Sequence, residues 1–164
     1  MATLPFDRAE IEQMLPHRDV ALILEEVLEV KPGDRAMGLR RVRIGDSFLE
    51  GHFPGQPVMP GSAIIECMAQ LAGVLTYMTL PDPMRREGVA LLGLDRTRFR
   101  RPVCPGDDLV IEVSIVQRRD PIWKFRAEAR VGDEKVAEAL LLAGLLSKEE
   151  RGLSSHRSGQ GRGR

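Results

Sequence analysis

The chain has 164 residues, 43% of them hydrophobic, enough for one core without disulfides or metals to staple it. Its 24 Lys and Arg balance 24 Asp and Glu, which removes the electrostatic basis for a nucleic-acid or membrane-surface protein. Cys67 and Cys104 lack zinc-site spacing, the amino terminus lacks a signal-peptide pattern, and no apolar run reaches the roughly 18–20 residues of a membrane span; the expectation is a soluble, cytoplasmic, metal-free protein with reduced thiols and no membrane insertion.

In chain order, residues 7–15 predict a short helix with Ile11, Met14 and Leu15 on one side and Pro16 ending it. Residues 20–30 and 35–44 predict a hairpin about the turn Lys31-Pro32-Gly33-Asp34. A loop dense in Pro and Gly, 51–61, leads into 62–80, which is apolar on nearly every side and predicts a buried helix stopped by Pro81 and Pro83. The stretches 89–100, 109–118, 122–131 and 135–146 read as the strands of a meander, with turns at 105–108, 119–121 and 132–134. The expected fold class is therefore α+β: one domain over 1–150, an antiparallel sheet of about six strands wrapped around a long central helix. Residues 151–164 have almost nothing to bury and carry Arg151, Arg157, Arg162 and Arg164 without an acid, so they predict a disordered basic tail.

Two residues stand out chemically. Glu66 lies in the apolar helix between Ile65 and Cys67, where a carboxylate is costly without a partner. Desolvation predicts a raised pKa and a proton donor near neutral pH; pairing with Gln70 or an arginine in the core is the alternative. Ser62, Glu66 and Gln70 recur every four residues and predict a polar stripe on one helix face. His52 precedes a loop whose path is fixed by Pro54, Gly55, Pro57, Pro60 and Gly61, and a rigid loop can hold an imidazole as a proton acceptor or simply pack it. At the helix start, Gly61 offers a backbone N–H without an intrahelical partner, suited to an oxygen that gains charge, while Ser62 could merely cap the helix. His17 is expected to anchor a turn.

The segment Gly51-His52-Phe53-Pro54-Gly55-x-Pro57-Val58-Met59-Pro60-Gly61, followed by Ile64-Ile65-Glu66-x-Met68-Ala69-Gln70 and Ala72-Gly73, closely resembles the active-site segment of the FabZ-type 3-hydroxyacyl-acyl carrier protein dehydratases. The likeness spans about residues 11–146, with Leu15-Pro16-His17-Arg18 before it and Phe99-Arg100-Arg101-Pro102-Val103-x-Pro105-Gly106-Asp107 after it. It implies a hot-dog fold, a dimer whose sites combine His52 of one subunit with Glu66 of the other, assembly as a trimer of dimers, an acyl carrier protein partner and no cofactor. FabA-type sister enzymes, which also isomerise the double bond, carry Asp where this chain has Glu66. The implied reaction is β-elimination. His52 removes the C2 proton, Glu66 protonates the departing C3 hydroxyl, the Gly61 amide steadies the thioester oxygen, and Phe53 and Gln70 are substrate-binding candidates. Arg96, Arg98, Arg100 and Arg101 could present a face to the acidic carrier, or form the outer face of an ordinary strand. After Arg18 this chain runs Asp19-Val20-Ala21-Leu22-Ile23-Leu24-Glu25 where the family has Tyr-Pro-Phe-Leu-Leu-Val-Asp, a departure that bears on acyl-chain preference and pathway. The rival readings are a hot-dog thioesterase and a non-catalytic subunit that binds the acyl carrier.

Overall fold

The computed structural model describes residues 4–82 and 88–146, so the tail expected at 151–164 lies outside the described residues. Its centre is the helix α2, Gly61–Thr79, whose Ala63, Ile64, Ile65, Cys67, Met68 and Leu71 through Thr76 are all buried. Burying an aliphatic side chain of Leu or Ile size is worth about 1.5–3 kcal/mol, so packing rather than helix propensity holds α2 in place. Its length and hydropathy would suit a membrane span, but most of its surface is covered within the chain. The covering comes chiefly from β2 (Arg35–Arg41), β4 (Asp108–Arg119) and β5 (Ile122–Val131), with β1 (Glu26–Lys31), β3 (Gly88–Phe99) and β6 (Glu134–Leu146) completing one antiparallel sheet.

Alternation along the strands sets the inner face. Leu109, Ile111 and Val113 of β4 and Trp123, Phe125, Ala127 and Ala129 of β5 are buried at every second position. At Gly38 of β2 a Cβ would come within 2.9 Å of the Leu24 side chain and 3.2 Å of Leu71, so glycine lets strand and helix approach there. The short helix α1, Arg8–Met14, is capped reciprocally by Asp7 and Glu10 and buries Ile11 against this core.

Two expectations are corrected. The strand order is β1-β2-β4-β5-β6-β3, so only β4, β5 and β6 form a meander; β3 pairs with β6 and stands at the sheet's edge, while β4 pairs with β2. The link 100–107, with Pro102 and Pro105, carries the chain from that edge to the middle of the sheet. The first extended stretch begins later than 20–30 suggested. Asp19–Ala21 is a 3-10 turn, and strand pairing starts only at Glu26, because the amides of Ile23 and Leu24 are taken by a side chain of α2.

Candidate active site

His52 is held by its own loop. Its ring Nδ1 lies 2.8 Å from the carbonyl oxygen of Val58, and the Val58 N–H donates to the His52 carbonyl at 2.8 Å. A carbonyl only accepts, so Nδ1 carries a proton, and in the neutral ring Nε2 is the nitrogen with the free lone pair. The backbone N–H of His52 donates to Leu49, and that of Met59 to Val103, which ties the loop to the segment after β3. Phe53 stacks on the imidazole with ring centroids 4.1 Å apart and is otherwise exposed. His52 opens onto a cleft walled by Gly61, Ile64, Phe99, Arg100 and Arg101.

Glu66 is held by segments distant in sequence. His17 Nε2 approaches its Oε1 at 3.1 Å, and Gln70 Nε2 donates to the same oxygen at 2.9 Å. The carboxyl is thereby kept below its ordinary pKa: the His17 hydrogen bond is the main cause, burial works in the opposite direction, and Gln70 adds to the lowering. The expected raised pKa is thus overturned. The helix sequence alone shows only apolar neighbours, whereas the fold brings an imidazole onto the carboxyl and leaves its side chain 39% exposed. Glu66, His17, Ala69, Val89, Leu91 and Leu141 line a cavity of about 90 Å³.

Gln70 is fully committed. Its Oε1 accepts from the Ile23 and Leu24 amides at 3.0 and 2.9 Å, and its Nε2 also donates to the Ala21 carbonyl at 2.7 Å. With every donor and acceptor used and the residue buried, Gln70 fastens the segment 21–24 to α2 and steadies Glu66 rather than offering a free group to a ligand. Ser62 is exposed inside α2 and does not cap it; Pro60 occupies the cap position without a side-chain bond, so the predicted stripe divides into an exposed, a half-buried and a buried residue. Gly61 begins the helix with its α-carbon against Phe99, where a Cβ would lie 2.7 Å from the ring's Cζ. His17 is the site residue that sequence reasoning missed. Its backbone is drawn in by Arg18, whose Nη1 donates to the Leu15 and His17 carbonyls at 2.7 Å each. Its only sequence signal was membership of the Leu15-Pro16-His17-Arg18 motif.

The arginines do not form one uniform face. A bulge between Asp95 and Arg98, with Arg96 at φ 48°, interrupts the alternation. Arg100 pairs with Glu138 at 2.5 Å, and Arg101 with Glu134 at 2.8 Å and Asp107 at 3.3 Å, so both charges are locally answered while Arg96 and Arg98 stay exposed. Among the described residues no group of three or more His, Cys, Asp or Glu side chains could hold a metal ion.

One antiparallel sheet around a single apolar helix is the hot-dog architecture, and this chain is a hot-dog protein with an imidazole loop leading into a carboxyl-bearing helix. The FabA-like domain family matches residues 15–140. The 3-hydroxyacyl-[acyl-carrier-protein] dehydratase FabZ of Syntrophobacter fumaroxidans is 44% identical over 146 residues, covering 88% of this chain and 98% of that protein. The FabZ of Geobacter metallireducens is 41% identical over 144 residues, covering 88% and 96%. Among solved structures, the dehydratase heterocomplex ApeI:P from Xenorhabdus doucetiae matches in fold with a TM-score of 0.75 at 21% identity, over 95% of this chain and 100% of that one. The chain belongs to the FabA-like family, as a dehydratase of the FabZ type.

Proposed function

We propose that this FabZ-type hydro-lyase converts a (3R)-hydroxyacyl thioester on acyl carrier protein to the trans-2-enoyl thioester, a step of fatty acid or related lipid or polyketide synthesis, with His52 as base and Glu66 as acid. The observation that carries the assignment is the Val58 carbonyl on His52 Nδ1, which leaves Nε2 unprotonated and pointed away from its anchor. Nε2 takes the C2 proton, the C2–H electron pair becomes the C2=C3 bond, and the C3–O bond breaks as the hydroxyl takes a proton from Glu66 and leaves as water. The thioester oxygen gains charge in this step, and the Gly61 N–H at the start of α2 is suited to meet it. Phe53 packs on the imidazole and helps to fix its plane.

Glu66 must hold a proton when substrate is bound, although it favours ionisation in the open cavity. Filling that cavity with an acyl chain excludes water and strengthens the one effect that already opposes ionisation, so binding draws a proton onto the carboxyl. The cycle closes when His52 releases its proton and Glu66 takes one up. The chemistry draws on side chains and one backbone amide and calls on no cofactor.

The working unit is a dimer, in which each site takes His52 from one copy and Glu66 from the other. Within one chain the two residues line separate cavities with no wall residue in common. The edge strand β3 walls both, with Val89 and Leu91 at the glutamate and Phe99 at the histidine, and it exposes Leu91, Leu92 and Leu94. Antiparallel pairing of β3 with its copy sets the Phe99 end of one strand beside the Leu91 end of the other and covers these leucines. A trimer of such dimers is the full assembly that the family likeness suggests. Exposed Arg96 and Arg98, near in the chain to the arginines of the His52 cleft, suit an acidic carrier through steering. The free thiols of Cys67 and Cys104 suit a reducing cytoplasm.

The test is enoyl-thioester absorbance with 3-hydroxyacyl thioesters of several chain lengths. His52→Ala and Glu66→Gln each lose about 10³-fold or more in turnover while staying folded, and mixing the two inactive variants recovers part of the activity. Turnover surviving in either variant overturns the acid–base pair; mixing without recovery overturns the shared site. Release of free thiol without enoyl product would make the protein a thioesterase instead.

A further inference from the structure

Resting on the role given to Glu66 above, we propose that His17 is a positioning residue for the acid: its Nε2, together with the Gln70 amide, occupies Oε1 of Glu66, so that the proton delivered to the departing hydroxyl is carried on Oε2. Two observations meet here. The Gln70 amide donates to one carboxyl oxygen, Oε1, at 2.9 Å, and His17 Nε2 lies 3.1 Å from that same oxygen. The other ring nitrogen of His17, Nδ1, is buried and has no hydrogen-bond partner among the described residues. A proton on Nδ1 would be a buried donor with nothing among the described residues to receive it, which favours the tautomer that carries its proton on Nε2, toward Oε1. An oxygen that accepts the Gln70 N–H and faces the His17 ring nitrogen is a poor place for a further hydrogen; the carboxyl proton therefore sits on Oε2.

The same geometry stabilises the carboxylate left behind after the proton has gone. The His17 donor is in place before the charge forms, so no reorganisation is needed at the moment of transfer. Its position depends on Arg18, which draws in the backbone of residues 15–17 through two carbonyls, and on Gln70, which holds the next stretch of chain against α2. Among the described residues, the groups around the pair leave little else to titrate. Cys67, next to Glu66 on α2, is buried with its thiol pKa pushed up; Tyr77 lines the adjoining cavity beside His17; Arg18 faces backbone carbonyls; and β3 and β6 contribute Val89, Leu91, Leu141 and Ala143.

The experiment compares His17→Leu, which removes the donor, with His17→Gln, whose amide nitrogen can stand where Nε2 stood. His17→Leu is expected to lower kcat roughly 10- to 100-fold with KM within about threefold, because the carboxyl loses its orientation but the acyl site is untouched. The alkaline limb of its kcat–pH profile, set by loss of the Glu66 proton in the complex, moves to higher pH, since a group that favoured the carboxylate is gone. His17→Gln is expected to recover kcat to within about fivefold of the parent and to return the limb toward its original position. If His17→Leu does not fold, His17→Asn replaces it, keeping a polar group but placing its amide short of Glu66, with the same expected loss. Unchanged kcat and an unmoved limb in a folded donor-less variant, while Glu66→Gln is inactive, overturn the role of His17 alone. Full turnover in Glu66→Gln overturns the acid assignment itself and this proposal with it.

Discussion

The two halves of the proposed site are built in opposite ways. His52 is fixed by nearby backbone: Leu49 and Val58 hold it, and prolines 54, 57 and 60 shape the path between. Glu66 is fixed by side chains brought from far along the chain, His17 directly and the 21–24 segment through Gln70. A locally built half keeps its geometry as long as its loop survives. A half assembled from distant segments owes its geometry and its protonation to the whole fold, and a change far from the carboxyl can undo both.

Gln70→Leu should therefore produce the largest effect outside the catalytic pair, on the glutamate half alone. The buried Leu24 amide, the half-buried Ile23 amide and the carbonyl of exposed Ala21 would lose their partner. Unsatisfied groups of this kind cost about 1–3 kcal/mol each when water cannot reach them, and with partial relief at Ala21 the loss should be about 2–4 kcal/mol. Denaturant unfolding measures it. kcat should fall as well, since Oε1 loses one donor and the neighbouring His17 segment loosens. Undiminished stability would mean that the 21–24 segment is held by something other than Gln70, and the contrast between the halves would weaken.

The same contrast explains what was legible in the sequence. The helix and four later strands follow from periodicity and turn residues within each segment, and they fall within a residue or two of where 62–80, 89–100, 109–118, 122–131 and 135–146 placed them. The histidine loop was legible for the same reason: its rigidity is written in consecutive prolines and glycines. The position of β3 at the edge beyond β6 was not, because strand order is decided by pairing across the sheet and not within any strand. The pKa of Glu66 was misjudged on the same ground. A helix of Ile, Cys and Met predicts desolvation, but nothing in that stretch announces an imidazole from residue 17. The segment after Arg18, where the chain departs from its family likeness, was read as strand although its amides are spent on Gln70.

Gly61→Ala probes the histidine half, with a smaller expected effect on the fold. The new Cβ would meet the Phe99 ring at 2.7–3.0 Å, but it meets the outer edge of a ring that is 51% exposed and free to swing outward. Stability should change by about 1 kcal/mol or less. The ring and the Gly61 amide both border the His52 cleft, so kcat/KM should fall about tenfold even so. A loss of stability with kinetics intact would show that Gly61 is there for packing and not for the thioester oxygen.

The smallest expected effect lies at the far end of the segment that overlies the glutamate half, and it separates charge from shape in holding that segment down. Burial pushes the Glu25 pKa up, but hydrogen bonds from the Arg43 side chain and from the Arg41 backbone and side chain outweigh it and hold the carboxyl at about 2. A carboxylate whose pKa is lower in the folded chain than in the unfolded one stabilises the fold above its unfolded value, 4.5, and the contribution drains away as pH falls toward about 2. Glu25→Gln should therefore lower Tm by about 2–4 °C at neutral pH. The gap between variant and parent should narrow steadily below pH 4.5 and shrink to a small remainder near pH 2, where about half of the parent's side chains are already neutral. Thermal unfolding of both proteins across that range decides the matter. A gap undiminished at pH 2 would mean the arginines grip the side chain's shape rather than its charge, and the segment would then be held mainly by directed hydrogen bonds.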